Sequence, residues 1–222
     1  VPHTCWDAGA RTADMDAMRI ARQVLSPMPE LLSYWLAPAD GRAMCRFLNE
    51  TIARMVTDAP ERFLGLGVVP LQDLDAAIDE LGYVVNELGL SGVEIATHVN
   101  GVSIGDPRFE PFFAAAARLG AAVFVHGLKP AGMDRLVGPP ILEQVVAFPG
   151  DVALAAAAMI TGGTLARHPL LRIALSHGGG AFAMVLPRLE HGWKSFPALQ
   201  ERMPEAPSAY ANRFYVDTLT YA

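Results

Sequence analysis

A parallel α/β fold is what this sequence predicts, and three observations carry the expectation. Short β-branched runs alternate with longer helical patterns six times over. The strand runs are apolar almost without interruption, as strands buried on both faces require. With 222 residues, 52% of them apolar and 18% charged, the chain can bury the large core such a fold needs. Its mean hydropathy is +0.27.

The first strand is read over 19–26, leading into Pro27. After Asp40, the residues Met44, Phe47, Leu48, Met55 and Val56 trace one helical face, and Pro60 stops it. A second strand follows at 63–70. Asp73 is the expected cap of the next helix, with Leu74, Ala77, Ile78, Leu81, Val84, Val85 and Leu88 as its buried stripe and Gly89 at its left-handed end. The third strand is 92–98. Phe109, Phe112, Phe113 and Ala116 mark a helix ended by Gly120, and 121–126 is the fourth strand. Two helices are expected in 140–168, split near Pro149-Gly150. The fifth strand is 171–177, a helix starts after the glycines at 178–180, and the sixth strand is 214–220. No linker or low-complexity segment interrupts 1–222, which therefore reads as one domain.

A doubly wound sheet needs a Gly-rich dinucleotide turn after its first strand, and Pro27-Met28-Pro29 stands there instead. A (β/α)8 barrel instead places its chemistry at the C-terminal ends of several strands. The histidines fit that rule. Of six, His98, His126 and His177 each close an expected strand. Packing histidines are the competing reading for any one of them, and less so for three together. His126 on a rigid strand end suits metal ligation. His177 precedes Gly178-Gly179-Gly180, which lets the chain turn sharply and leads into a helix N-terminus, a seat for an anion. His3, His168 and His191 look structural, with His191 open to a subunit contact. Arg188, eleven residues beyond His177 on the following helix, is either a solvated arginine or a clamp on a carboxylate.

Other chemistries are excluded by what the chain lacks. His177-Gly178-Gly179-Gly180 is also an oxyanion-hole pattern of α/β hydrolases, but there is no Gly-x-Ser-x-Gly elbow. No phosphate-loop lysine supports a nucleotide site. A net charge of −6 argues against nucleic acid as a partner. No window of eighteen consecutive apolar residues argues for a membrane span. Cys5 and Cys45 form neither a disulfide framework nor a thiolate cluster, so a reducing, cytoplasmic setting is expected.

Seven segments carry a resemblance when taken together: Cys5-Trp6-Asp7, Ser33-Tyr34-Trp35, 62–67, Gly92-Val93-Glu94-Ile95, Thr97-His98-Val99-Asn100, Phe124-Val125-His126 and 177–182. In this order and spacing they resemble the amidohydrolase superfamily, and within it the α-amino-β-carboxymuconate-ε-semialdehyde decarboxylase group, over nearly the whole chain. The resemblance implies a metal-dependent (β/α)8 barrel with one divalent ion, zinc being expected. It implies that His126 is a metal ligand and that His177 is the acid/base beside the metal-bound water. It also implies that Arg188 reaches across a homodimer interface to a small carboxylate substrate; His98 is a further substrate-binding candidate. The implied reaction is a non-oxidative decarboxylation of a carboxylated muconate semialdehyde or related aromatic-catabolism acid. The alternatives are a hydrolase or hydratase on the same scaffold, or a catalytically incomplete barrel subunit.

The sequence departs from that group in two ways. Where the group has His-Pro-Trp-Asp, this chain has His126-Gly127-Leu128-Lys129, so an aromatic pocket wall is missing or comes from elsewhere. The group's His-x-His pair on barrel strand 1 and its metal aspartate on strand 8 are not found between Val1 and Ala222, so the six strands are expected to be barrel strands 2–7 of a longer polypeptide. The segment 127–139 reads as a lid or an ordinary loop, and Asp217 and Tyr221 are further residues that could face the site.

Overall fold

The structure, a computed structural model, describes residues 2–220. The chain divides into two compact units, Val1–Glu94 and Ile95–Ala222. Tyr221 lies outside the described residues.

In the first unit, α1 (Ala8–Ala17) precedes the strand β1 (Gln23–Leu25). Helix α2 (Pro38–Asp58) leads to β2 (Phe63–Val68), and α3 (Leu74–Gly82) to β3 (Gly92–Ala96), which runs through the boundary. β1 pairs parallel with β2, and β2 with β3. Asp73 caps α3 as expected, its carboxylate accepting from Ala76 N–H at 3.1 Å. The stripe then continues through a π-turn at Tyr83–Glu87, so Val84 stays buried. Helix α1 has no one-sided apolar stripe and buries only Met15, so periodicity did not reveal it; its cap Asp7 is the local signal.

The polar centre of this unit is Asn49 on α2, fully buried. Its amide donates to the Val68 carbonyl at 2.9 Å and to the Glu80 carboxylate at 2.8 Å, while its oxygen accepts from Val68 N–H at 2.7 Å. Arg46 closes the network on Glu80 and lies over the Tyr83 ring. These bonds tie α2 to the β2 edge and to α3. Asn49→Ala is expected to destabilise the protein by about 2 kcal/mol, since it strands buried donors and acceptors. Chemical denaturation is the check, and a loss within error would contradict the network's role.

The second unit opens with a hairpin of β4 (His98–Val99) and β5 (Val102–Ser103). Asn100 (φ 49°) and Gly101 (φ 87°) make its two-residue turn, so His98 begins a hairpin and does not end a strand. After α4 (Glu110–Leu119), closed by Gly120 at φ 64°, comes β6 (Ala122–His126). Helices α5 (Phe148–Thr161) and α6 (Thr164–Arg167) precede β7 (Arg172–Leu175). Helices α7 (Phe182–Ser195), α8 (Pro197–Arg202) and α9 (Pro207–Ala211) lead to β8 (Tyr215–Val216). β6, β7 and β8 pair in parallel in that order.

The helix break expected at Pro149-Gly150 is not there. Pro149 stands where the π-turn Glu143–Ala147 passes into α5, the chain staying helical through it, and the break falls at Gly162-Gly163, with Gly163 at φ 79°. A π-turn at Glu143–Ala147 extends α5, and the combined helix Glu143–Thr161 is long and apolar enough to cross a membrane by composition alone. Val152, Ala156, Met159 and Ile160 are buried within the unit. His168 and Arg167 both donate to Glu110 at the start of α4, away from the strand C-termini. His168 is therefore a structural histidine, as its sequence position suggests.

Candidate active site

In the second unit, hydrogen bonds bring the C-terminal strand ends to one rim. Thr97 N–H donates to the His126 carbonyl at 3.1 Å, and Ser176 N–H to the Val125 carbonyl at 3.0 Å. On β6 burial alternates: Val123 and Val125 are buried, while Ala122, Phe124 and His126 are half-buried on the other face. That period-2 pattern puts the His126 ring on the half-buried face, opposite Val123 and Val125.

His126 and His177 meet there, their ring centroids 4.8 Å apart and their planes at 64°. The Nδ1–H of His126 donates to the Gly127 carbonyl at 2.7 Å, which leaves the ring's lone pair on Nε2. Nε2 of His177 is buried and has no hydrogen-bond partner among the described residues. Burial holds the His177 imidazole below its ordinary value, the neighbouring His126 adds to this, and Asp217 opposes it. A neutral imidazole with an orphaned nitrogen, beside a second whose tautomer is fixed, is a donor set that fits part of a divalent-metal site. Among the described residues no group of three or more His, Cys, Asp or Glu side chains converges, so these imidazoles alone do not make a full coordination sphere.

Phe148, at the start of α5, faces both imidazoles, with centroids 5.7 Å from His126 and 5.9 Å from His177. Gly127 makes room for it: a Cβ there would lie 3.1 Å from Phe148 Cα and Cβ. The aromatic wall absent from the 126–129 segment thus comes from a different element. Residue order does not link Gly127 to Phe148, because they lie 21 positions apart.

Nδ1 of His98 accepts from Gly101 N–H at 3.1 Å, and Nε2–H donates to the Lys129 carbonyl at 2.9 Å. Both ring nitrogens are therefore engaged in holding the hairpin and the start of the 127–139 segment, a tethering place that differs from the expected substrate contact. The buried Asp151 holds the same segment, accepting from Ala131 N–H at 3.2 Å and from the Thr97 hydroxyl. Arg188 is exposed on α7. The expected anion seat at the glycines is taken by the chain itself. Asp217 accepts from His177 N–H at 3.0 Å and from Gly178 N–H at 2.7 Å.

Paired imidazoles on the C-terminal rim of parallel strands joined by helices are the layout of a metal-dependent (β/α)8 barrel, and solved structures agree. The 5-carboxyvanillate decarboxylase from Sphingomonas paucimobilis matches 95% of this chain with a TM-score of 0.86 at 28% identity, over 64% of its own length. That from Novosphingobium aromaticivorans, complexed with manganese and 4-hydroxy-3-methoxy-5-nitrobenzoic acid, matches 95% with a TM-score of 0.83 at 26% identity, over 62% of its length. The chain belongs to the amidohydrolase family, whose model matches residues 1–221. It is 37% identical to the 2-amino-3-carboxymuconate-6-semialdehyde decarboxylase of Dictyostelium discoideum across the whole chain and 62% of that protein. The chain thus spans less than two-thirds of the length of each of these relatives.

Proposed function

We propose that this chain forms the proton-handling wall of a metal-dependent, non-oxidative decarboxylase acting on a carboxylated muconate semialdehyde or a related aromatic acid. The observation that carries the reading is the His126–His177 pair, 4.8 Å apart with a buried orphan nitrogen, in a chain whose relatives are decarboxylases of such acids. His126 holds the metal through Nε2, with zinc or manganese suiting the imidazole donor. The bound ion supplies positive charge against the carboxylated substrate and lowers the pKa of a coordinated water.

His177 moves the proton. Neutral at rest because it is buried, it first takes a proton from solvent water and then, as imidazolium, delivers it to the carbon bearing the carboxylate. A C–H bond forms at that carbon, the bond to the carboxylate breaks, and its electron pair returns to the unsaturated system as carbon dioxide leaves. Phe148 offers a ring face to the planar substrate. Arg188, exposed on α7, meets a carboxylate in a second copy of the chain, which makes the active assembly a homodimer. Free Cys5 and Cys45 fit the reducing conditions of a cytoplasmic enzyme.

Metal analysis of the purified protein, together with carbon dioxide release from 5-carboxyvanillate, 2,6-dihydroxybenzoate and 2-amino-3-carboxymuconate-6-semialdehyde, tests this. The expected result is a stoichiometric divalent ion, lost in His126→Ala, and gas release from at least one of these acids. Ring opening of a lactone or amide without gas would assign the hydrolase reading. A folded protein with no metal would assign an inert subunit. Phe148→Leu is expected to raise KM about tenfold, the equivalent of a lost aromatic stacking contact, with kcat little changed. An unchanged KM would remove Phe148 from the substrate's surroundings.

A further inference from the structure

The turn that carries His177 is strained, and one carboxylate holds it. His177 (φ 55°), Gly178 (φ 62°), Gly179 (φ 80°) and Gly180 (φ 60°) are four successive residues in left-handed backbone. Three are glycine and accept this readily; His177 has a Cβ and does not. Successive backbone N–H groups in a turn of this kind can face one concavity, which suits an anion. The Asp217 carboxylate fills it: Oδ2 accepts from His177 N–H at 3.0 Å and Oδ1 from Gly178 N–H at 2.7 Å. Asp217 is itself fixed. Its N–H donates to the Leu175 carbonyl at 3.2 Å, and Oδ1 also accepts from Leu219 N–H at 3.1 Å. The same segment covers the turn, since a Cβ at Gly178 would lie 2.4 Å from Thr220 Cγ2.

We propose that Asp217 is the positioning residue for His177, its carboxylate holding a left-handed backbone that aims the imidazole at His126 and Phe148. Relaxation of His177 to an ordinary φ rotates its Cα–Cβ bond and carries the ring out of the pair. The inference deepens the proposed reading, resting on His177 as the proton-moving group. Asp217 touches neither substrate nor metal in this account; it acts through the backbone of residue 177. The two charge-assisted hydrogen bonds favour the strained turn because they exist only while both amides point inward.

The test uses the full chain with Asp217→Asn, which keeps the size but leaves one acceptor, and Asp217→Ala, which leaves none. NMR follows the exchange of the His177 and Gly178 amides and the imidazole resonances of all histidines, and kinetics follow carbon dioxide release. In the unsubstituted protein both amides are expected to exchange slowly. In both variants exchange at these amides speeds up about tenfold or more. The His177 resonance shifts while those of His98 and His168 stay. Turnover falls about 10- to 100-fold with KM unchanged. An Asn variant that keeps the His177 resonance and turnover would overturn the proposal, because a space-filling role predicts that result. Unprotected His177 and Gly178 amides in the unsubstituted protein would overturn it too, and this measurement stands even if both variants fail to fold. If the unsubstituted protein releases no gas from any of the three acids, the decarboxylase reading fails, while the amide and imidazole signals still decide the clamp.

Discussion

Exchanging His177 for glutamine is expected to lower turnover by about 10²- to 10⁴-fold, the usual contribution of a positioned general acid–base group. Glutamine approximates the size of the ring and can still hydrogen-bond, but it cannot take up and return a proton near neutral pH. The geometry makes the loss large because, among the described residues, the rings packed on His177 are those of His126 and Phe148. The Nδ1–H of His126 is committed to the Gly127 carbonyl, and Phe148 carries no proton to exchange. The backbone of residue 177 keeps its two bonds to Asp217 in the variant, so the fold is expected to survive, with an unfolding midpoint near that of the parent. Turnover should be followed under single-turnover conditions, which separate the chemical step from product release. Retention within a few-fold of the parent rate would remove His177 from the chemistry and leave the imidazole pair with a binding role only.

The second large effect concerns stability. Glu94 on β3 is 1% exposed, and the side-chain contact from Ser26 offsets only part of the cost of that burial. Burial pushes its carboxyl from 4.5 up to about 7, with the Glu30 carboxylate adding to the shift. The native state therefore holds this proton more tightly than the unfolded chain does. Between pH 4.5 and about 7 the folded protein binds more protons, so stability falls as pH rises through that window and the deficit is complete above it. A shift of this size corresponds to about 3 kcal/mol. Glu94→Gln removes the titration and keeps the shape. The variant should therefore gain about 3 kcal/mol on the parent when urea unfolding at pH 8 is compared with pH 4.5. A variant-to-parent difference that does not change with pH would show that Glu94 is not the buried acid it looks to be.

Much of the architecture was legible along the chain. All six expected strands exist, because strand signals are local: a short β-branched apolar run ends at a turn residue, and burial on both faces of β3 matches its unbroken apolar character apart from Glu94. Where reading along the chain failed, the competing physics was also local. Asn100-Gly101 is a hairpin turn signal that ends the third strand before His98, and Pro149 stands where a π-turn passes into α5 without breaking the helix.

The site divides differently. Residue order alone picked out His126 and His177, since a histidine at or just beyond the C-terminal end of a parallel strand stands at the rim. It marked Asp217 as a residue that could face the site, without its role. Phe148, Asp151 and Glu94 needed the folded chain. Gly127 and Phe148 form one surface, and Asp151 reaches both Thr97 and Ala131 across intervals of 54 and 20 residues. Which type of residue ends a strand is written in the sequence, because pleat and turn chemistry act between neighbours. Which carboxylate meets a strained turn, which ring faces the imidazoles and which acid lies buried are decided by packing between distant segments, and only the tertiary structure contains that.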